Sequence, residues 1–179
     1  MRKARIPVLI IAIIVVLLAF LPRSEDDKNS YEQLLNRCGA NSFLPSVSDV
    51  INDENINYKY YEKGCFFQGR GIVVSEKMTS EEFDKKKNML FENSIFLTSP
   101  VYGELVERCT IPQVEFKIKG YSFRVLSGGK EANDYPHSFG MIAISEDESK
   151  ILYFAYTDIV GNFVMIHPLQ HWYCQAFKF

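Results

Sequence analysis

The chain has three histidines, His137, His167 and His171, and two of them stand at a spacing that could do chemistry. His167 and His171 lie four residues apart in His167-Pro168-Leu169-Gln170-His171, and Cys174 follows three residues later. On a helix, that spacing puts both imidazoles on one face, as a zinc or copper site of a metal-dependent hydrolase would need. Pro168 and the strand-like residues around it remove the helical premise. No metal is therefore expected at His167 and His171, and no cofactor elsewhere. Nucleophilic catalysis finds no better footing. Ser127, Ser138 and Ser145 lie in turn-like sequence and Asp134 is near His137, but no Gly-x-Ser-x-Gly elbow is present. The 22 acidic residues allow too many pairings to single out two as a glycosidase pair. The sequence reads as a protein that is not an enzyme.

Cysteine chemistry points to an oxidising compartment. Cys38, Cys65, Cys109 and Cys174 are an even set with no Cys-x-x-Cys, which disfavours a zinc ribbon or a redox motif. The expected pairing is Cys38–Cys65 with Cys109–Cys174.

What remains is recognition. Tyr58, Tyr60 and Tyr61 combine apolar area with a polar tip, which suits an interface, although core tyrosines would read the same way. Glu146, Asp147 and Glu148 form an acidic turn that could steer a basic partner.

Sorting signals say where such recognition would occur. Residues 6–22 (IPVLIIAIIVVLLAFLP) are uncharged and would extend ~26 Å as a helix, close to the thickness of a hydrocarbon layer. Arg2, Lys3 and Arg5 precede this run, and Glu25, Asp26 and Asp27 follow it. That asymmetry predicts a single-pass anchor in the inner membrane, with its N-terminus in the cytoplasm and the main domain in the periplasm or outside the cell. The exit from the run has no Ala-x-Ala pattern, which favours a retained anchor over a cleaved signal. None of the ten asparagines begins an Asn-x-Ser/Thr acceptor, a mild lean toward a bacterial envelope. The expected layout is a basic segment 1–5, an anchor 6–22, a linker 23–29 and one exported domain 30–179.

Beyond the anchor, 17 basic residues face 22 acidic ones, a net charge of −5. Nucleic-acid binding is excluded as a reading, since it normally shows the opposite sign. With 14% aromatic residues the chain can build a core, so disorder is excluded as well.

Several elements must position these groups. A capping box at Ser30 predicts a helix of about ten residues ending at Gly39. Residues 46–54 read as a turn or two of helix. Alternation over 56–60 predicts a strand, with a turn at 62–64 and a return strand over 65–76 in which Gly69 and Gly71 suggest a bulge or a close backbone approach. A second capping box at Thr79–Glu82 opens a helix to about Phe91, with Phe83, Met89 and Leu90 inward and Lys85, Lys86 and Lys87 mainly in solvent. Ser99-Pro100 starts a short helix through Glu107. Strand pairs follow at 113–128 and 139–158, the second joined by the acidic turn, with further strands over 163–168 and at the C-terminal end. Strands do not alternate with helices, so the fold class is α+β, a mostly antiparallel sheet with two or three helices covering one face.

A tethered, acidic, aromatic-rich domain of this kind is expected to bind protein. The favoured reading is an immunity or inhibitor protein that neutralises a toxin or lytic enzyme at the bacterial envelope. Tethering would hold it where the toxin must pass. The alternatives are a structural subunit of a cell-envelope complex and the hydrolase built on His167 and His171.

Overall fold

β-branched and aromatic residues at every second position assemble an antiparallel sheet, seen in a computed structural model. The structure describes residues 10–16, 21, 23–38, 43–62, 69–99, 101–102, 110–111, 114–118, 120–127, 133–134 and 138–158. The strands are β1 (Arg23–Glu25), β2 (Ile56–Glu62), β3 (Gly69–Lys77), β4 (Val101–Tyr102), β5 (Thr110–Ile111), β6 (Glu115–Ile118), β7 (Tyr121–Val125), β8 (Asn133–Asp134), β9 (Ser138–Ser145) and β10 (Lys150–Asp158). Seven of them run in the order β1-β2-β3-β10-β9-β7-β6, β8 adds to β9, and β4 with β5 forms a separate pair. The helices that follow β1 among the described residues are α1 (Tyr31–Cys38), α2 (Val47–Asn52) and α3 (Ser80–Asn93). The chain is thus α+β with few helices.

The central pairing is β3 against β10, nine residues in register from Gly69↔Asp158 to Lys77↔Lys150. It joins the two halves of the chain, because the segment after β3 travels to the far edge and returns through β6, β7 and β9. Both faces of this centre are buried. On one face Ile72, Val74, Ile142, Ile151 and Tyr153 lie under Tyr31, Leu34, Val50 and Phe83 from the three helices. On the other, Phe123 lies between Phe116 and Phe154 at ring distances of 5.1 and 5.7 Å, and Phe139 meets Tyr156 at 5.2 Å. Alternating side chains that are apolar on both faces explain why β10 reads ILYFAY as a continuous hydrophobic run. Gly140 is held to hydrogen by packing, since a Cβ there would meet the Phe43 ring at 2.6 Å and Leu126 at 3.1 Å.

Local chemistry sets the helix starts. Ser46 and Asp49 form one reciprocal capping box, and Thr79 and Glu82 form the other. At α1 the start differs from the expected box at Ser30. Asp27 caps a 3-10 turn (Lys28–Ser30) that leads straight into the helix.

Several expectations are corrected by the tertiary context. Residues 23–29, expected as a short linker, begin with a strand. Arg23–Glu25 pairs with β2 as Arg23↔Glu62 to Glu25↔Tyr60, and Lys28 Nζ donates to the Asp53 carbonyl. Gly69 and Gly71 make no bulge, because β3 pairs without interruption on both sides and Gly71 sits in register between Tyr61 and Tyr156. The helix expected at 99–107 gives way at Val101–Tyr102 to a strand paired with Thr110–Ile111, a conformation that suits a β-branched and an aromatic residue. Met89 is about half exposed rather than inward, and Lys86 and Lys87 reach Glu76 on β3 and Glu146 in the turn after β9 instead of standing in solvent.

Residues 10–16 are helical, with apolar side chains about half exposed. Among the described residues, no helix is long and apolar enough to cross a membrane. The strands expected over 163–168 and at the C-terminal end lie outside the described residues.

Candidate functional site

The strands of this sheet end in two corners of different chemistry. β2 spans seven residues, so the corners lie ~20 Å apart.

The first corner holds Ile56, Glu76, Lys77 and Lys150 in register. Here α2 ends, α3 begins, and a cleft opens between them. Its two adjoining hollows, of about 410 and 930 Å³, share Asp53, Asn55, Glu76 and Lys86. Asp49, Glu54 and Glu82 add three more carboxylates to the walls. Glu76 forms the floor. It is 8% exposed, receives Lys86 from α3 and accepts a hydrogen bond from Tyr153 Oη at 3.1 Å. A buried carboxylate held by an ammonium and a phenol is a satisfied group, so the floor is rigid rather than reactive. Burial, reinforced by the Glu76 charge, pushes the Tyr153 phenol far above its ordinary range and keeps it a neutral donor. Glu82 is held below the usual carboxylate range by its hydrogen bonds to Thr79, so it remains charged at the cleft mouth. The cleft therefore offers negative charge on a fixed frame, which suits a cationic side chain of a partner.

The acidic turn lies at the same corner, and much of its charge is already engaged. Glu146 pairs with Lys87, while Glu148 accepts from Tyr121 Oη at 3.0 Å and pairs with Lys150 at 3.5 Å. Asp147 is exposed.

The second corner lies where β1 begins. Glu62, at the end of β2, stands 3.4 Å from Arg70 Nε and 3.8 Å from Arg37, and accepts from Tyr60 Oη at 3.1 Å. Arg70 Nε is close enough for charge attraction but is not aligned for a hydrogen bond with Glu62, and among the described residues it is buried without a hydrogen-bond partner. The guanidinium instead donates from Nη1 to the Arg37 carbonyl at 3.3 Å, and Thr157 Oγ1 donates to the Cys38 carbonyl, so side chains satisfy the last turn of α1. A hollow of about 390 Å³ lies beside them, lined by Arg23, Arg37, Tyr60 and Glu62 among others.

The residues singled out from sequence fare unequally. Tyr58 and Tyr60 are core residues, 5% and 2% exposed, so they present no ring to a partner. Their hydroxyls donate inward, Tyr58 to the Asp27 carbonyl and Tyr60 to Glu62. Tyr61 points to the opposite face and is half-buried. Cys38 carries a free, buried thiol, and Cys65, its expected partner, lies outside the described residues. Its burial, opposed in part by the Arg70 charge, pushes the thiol up to about 12. A thiol with so little thiolate resists oxidation even in an oxidising space. Cys65, Cys109 and Cys174 lie outside the described residues, as do His137, His167 and His171. Among the described residues, no cluster of His, Cys, Asp or Glu could hold a metal ion. Ser145 is buried and accepts from the Glu148 amide. Sequence reasoning missed Glu76, Asp53 and Glu54. A charged residue in the run GIVVSEK was the available signal for Glu76, because a carboxylate inside a buried strand must have a partner.

No family model, curated protein or solved structure matches the chain.

Proposed function

We propose that this chain is a membrane-anchored, extracytoplasmic protein-binding domain, an immunity or inhibitor protein against a toxin or lytic enzyme acting at the bacterial envelope. Residues 6–22 are its anchor in the inner membrane, with the N-terminus in the cytoplasm. The observation that carries the reading is the acidic cleft. Glu54 and Asn52 stand on its exposed wall and Glu76 on its fixed floor, so a basic partner side chain would meet charge with little ordering cost. The cleft also lies at the corner remote from β1, where the anchor joins, and is therefore free to meet an incoming protein.

Growth and binding measured together test this. Deleting the gene leaves growth unchanged until the cognate toxin, sought among neighbouring genes, is supplied. Glu54→Lys with Asn52→Lys then abolishes protection and weakens the purified complex at least tenfold, while the fold and membrane attachment persist. Protection that survives the charge reversal, or a growth defect without any toxin, overturns the reading.

A structural envelope subunit is the second reading. It is favoured by the exposed Met89, Phe91 and Ile95 at and just beyond the end of α3, with Ile95 at 70% exposure. In that case, Ile95→Asp breaks an assembly and the cleft reversal does not.

A further inference from the structure

We infer that α3 is a latched cover over the sheet, held closed by Lys86 on Glu76 and Lys87 on Glu146, and that it opens as one unit while the sheet stays folded.

The way α3 is fastened is the first argument. Of its fourteen residues only Phe83 is buried, whereas α1 buries Tyr31, Leu34, Leu35 and Cys38 within eight. Leu90 adds a partly buried side chain. Both flanks are tied to the rest of the fold through backbone. Met78 N donates to the Ser149 carbonyl at 3.1 Å, Leu97 N to the Val125 carbonyl at 2.9 Å, and the Ile95 carbonyl accepts from Ser127 N at 2.7 Å. Between these ties, α3 meets the sheet through side chains. A segment with so few buried apolar groups opens at a fraction of the free energy of global unfolding, and the fixed flanks confine the opening to residues 79–94.

The second argument is what the helix keeps when it leaves. The capping box of Thr79 and Glu82 is internal to the segment, so the start of α3 survives. Glu82 stands four residues before Lys86 and Asp84 three before Lys87, spacings at which carboxylate and ammonium meet on one helix. Each latch lysine therefore has one carboxylate across the gap and another on its own helix. At the far end Phe91 meets Phe96 edge-on at 5.8 Å. The Arg124 guanidinium lies 4.2 Å from the Phe96 ring and 5.3 Å from that of Phe91, so Phe91 can part while Arg124 stays stacked.

The movement bears on the cleft. Thr79, Glu82 and Lys86 form the α3 side of the 410 Å³ hollow, so opening widens it and lifts the ammonium from Glu76. The floor itself stays on β3. On the protein-binding reading, on which this last step alone rests, a basic side chain of the partner finds that carboxylate vacated, and capture and opening favour each other.

Amide hydrogen exchange on the full chain in detergent micelles tests the latch. Amides of residues 83–93 should share one opening, with protection at least a hundredfold below that of residues 71–75 and 151–155. Lys86→Met with Lys87→Met should lower α3 protection tenfold or more. The sheet should lose the same factor, because the substitutions destabilise the closed state against every open one. Phe139→Leu, on the opposite face, should lower protection of the sheet and leave that of α3 unchanged. If the double variant does not fold, Lys87→Met alone breaks the outer latch and should lower α3 protection about threefold. Equal protection of α3 and the sheet in the parent overturns the inference, since α3 then opens only with the whole domain. So does α3 exchange that ignores the loss of both lysines. No partner enters the measurement, so failure of the protein-binding reading leaves its outcome untouched.

Discussion

Glu76 and Glu62 occupy matching positions at opposite corners of one sheet. Each ends the helix-covered row of its strand, and each meets a tyrosine hydroxyl and a base carried by a neighbouring element. Their settings differ in access to water. The Glu76 side chain is 10% exposed and its partner Lys86 31%, whereas Glu62 is 23% exposed and its partners Arg70 and Arg37 are 23% and 46%. The first is a structural tie that makes a rigid floor. The second is a looser cluster, in which Arg37 and Arg70 share one carboxylate. The same three kinds of side chain thus make a tight tie at one corner and a looser one at the other, because desolvation sets what a charge pair is worth.

Substitutions at the two carboxylates test that difference directly. Glu76→Ala leaves Lys86 half-buried without its anion and strips Tyr153 of its acceptor. The expected loss is about 3 kcal/mol, read from thermal and urea unfolding. An effect below about 1 kcal/mol would place both pairs in one class.

Alkali should act through groups at both corners. Cys38 moves from an ordinary value near 9 up to about 12 and Tyr58 from near 10 up to about 12, both by burial first, and Tyr153 rises further. Each is raised in the folded state, so each contribution is whole below the unfolded value and is lost as pH climbs toward the folded one. Stability should therefore fall between pH 9 and 12 with a slope approaching ~1.4 kcal/mol per pH unit for each group. Cys38→Ala should flatten the early part of that fall, and a melting temperature indifferent to pH over this range would contradict the burial of these groups.

Glu62→Gln should cost about 1 kcal/mol, because Arg37 is about half solvated while Arg70, buried at Nε, keeps its hydrogen bond to the Arg37 carbonyl. The smallest effect lies in the acidic turn, where Ser149 holds a φ of +48°. Ser149→Gly relieves that conformation and should change stability by no more than about +0.5 kcal/mol in unfolding assays, leaving the cleft intact.

Local signals were readable wherever a residue acts on neighbours in sequence. Thr79 and Glu82 announce the start of α3, and the alternation in 114–125 announces β6 and β7 with their shared aromatic face. The strand pair around Glu146–Glu148 was equally plain. Tyr58 and Tyr60 were not, since an amphipathic side chain fits a core and an interface alike until its neighbours are known. Lys86 and Lys87 read as solvated for the same reason, because their partners Glu76 and Glu146 lie on other elements. Arg23–Glu25 looked like linker because a three-residue edge strand has no periodicity to detect. Asp53 and Glu54 passed unnoticed because a cleft is a property of two helices and a sheet, not of a stretch of chain.

The chain's own pattern of apolar and polar residues was enough to determine an antiparallel α+β domain behind an apolar leading segment, since hydrogen bonding, capping and alternation act over a few residues. Only the tertiary structure decided that β10 closes against β3, and with it that Glu76 is enclosed, Cys38 is sealed and the arginines gather beside β1. Those outcomes depend on contacts between residues far apart in sequence, where burial rather than residue type determines whether a charge stabilises the fold or stays available to a partner.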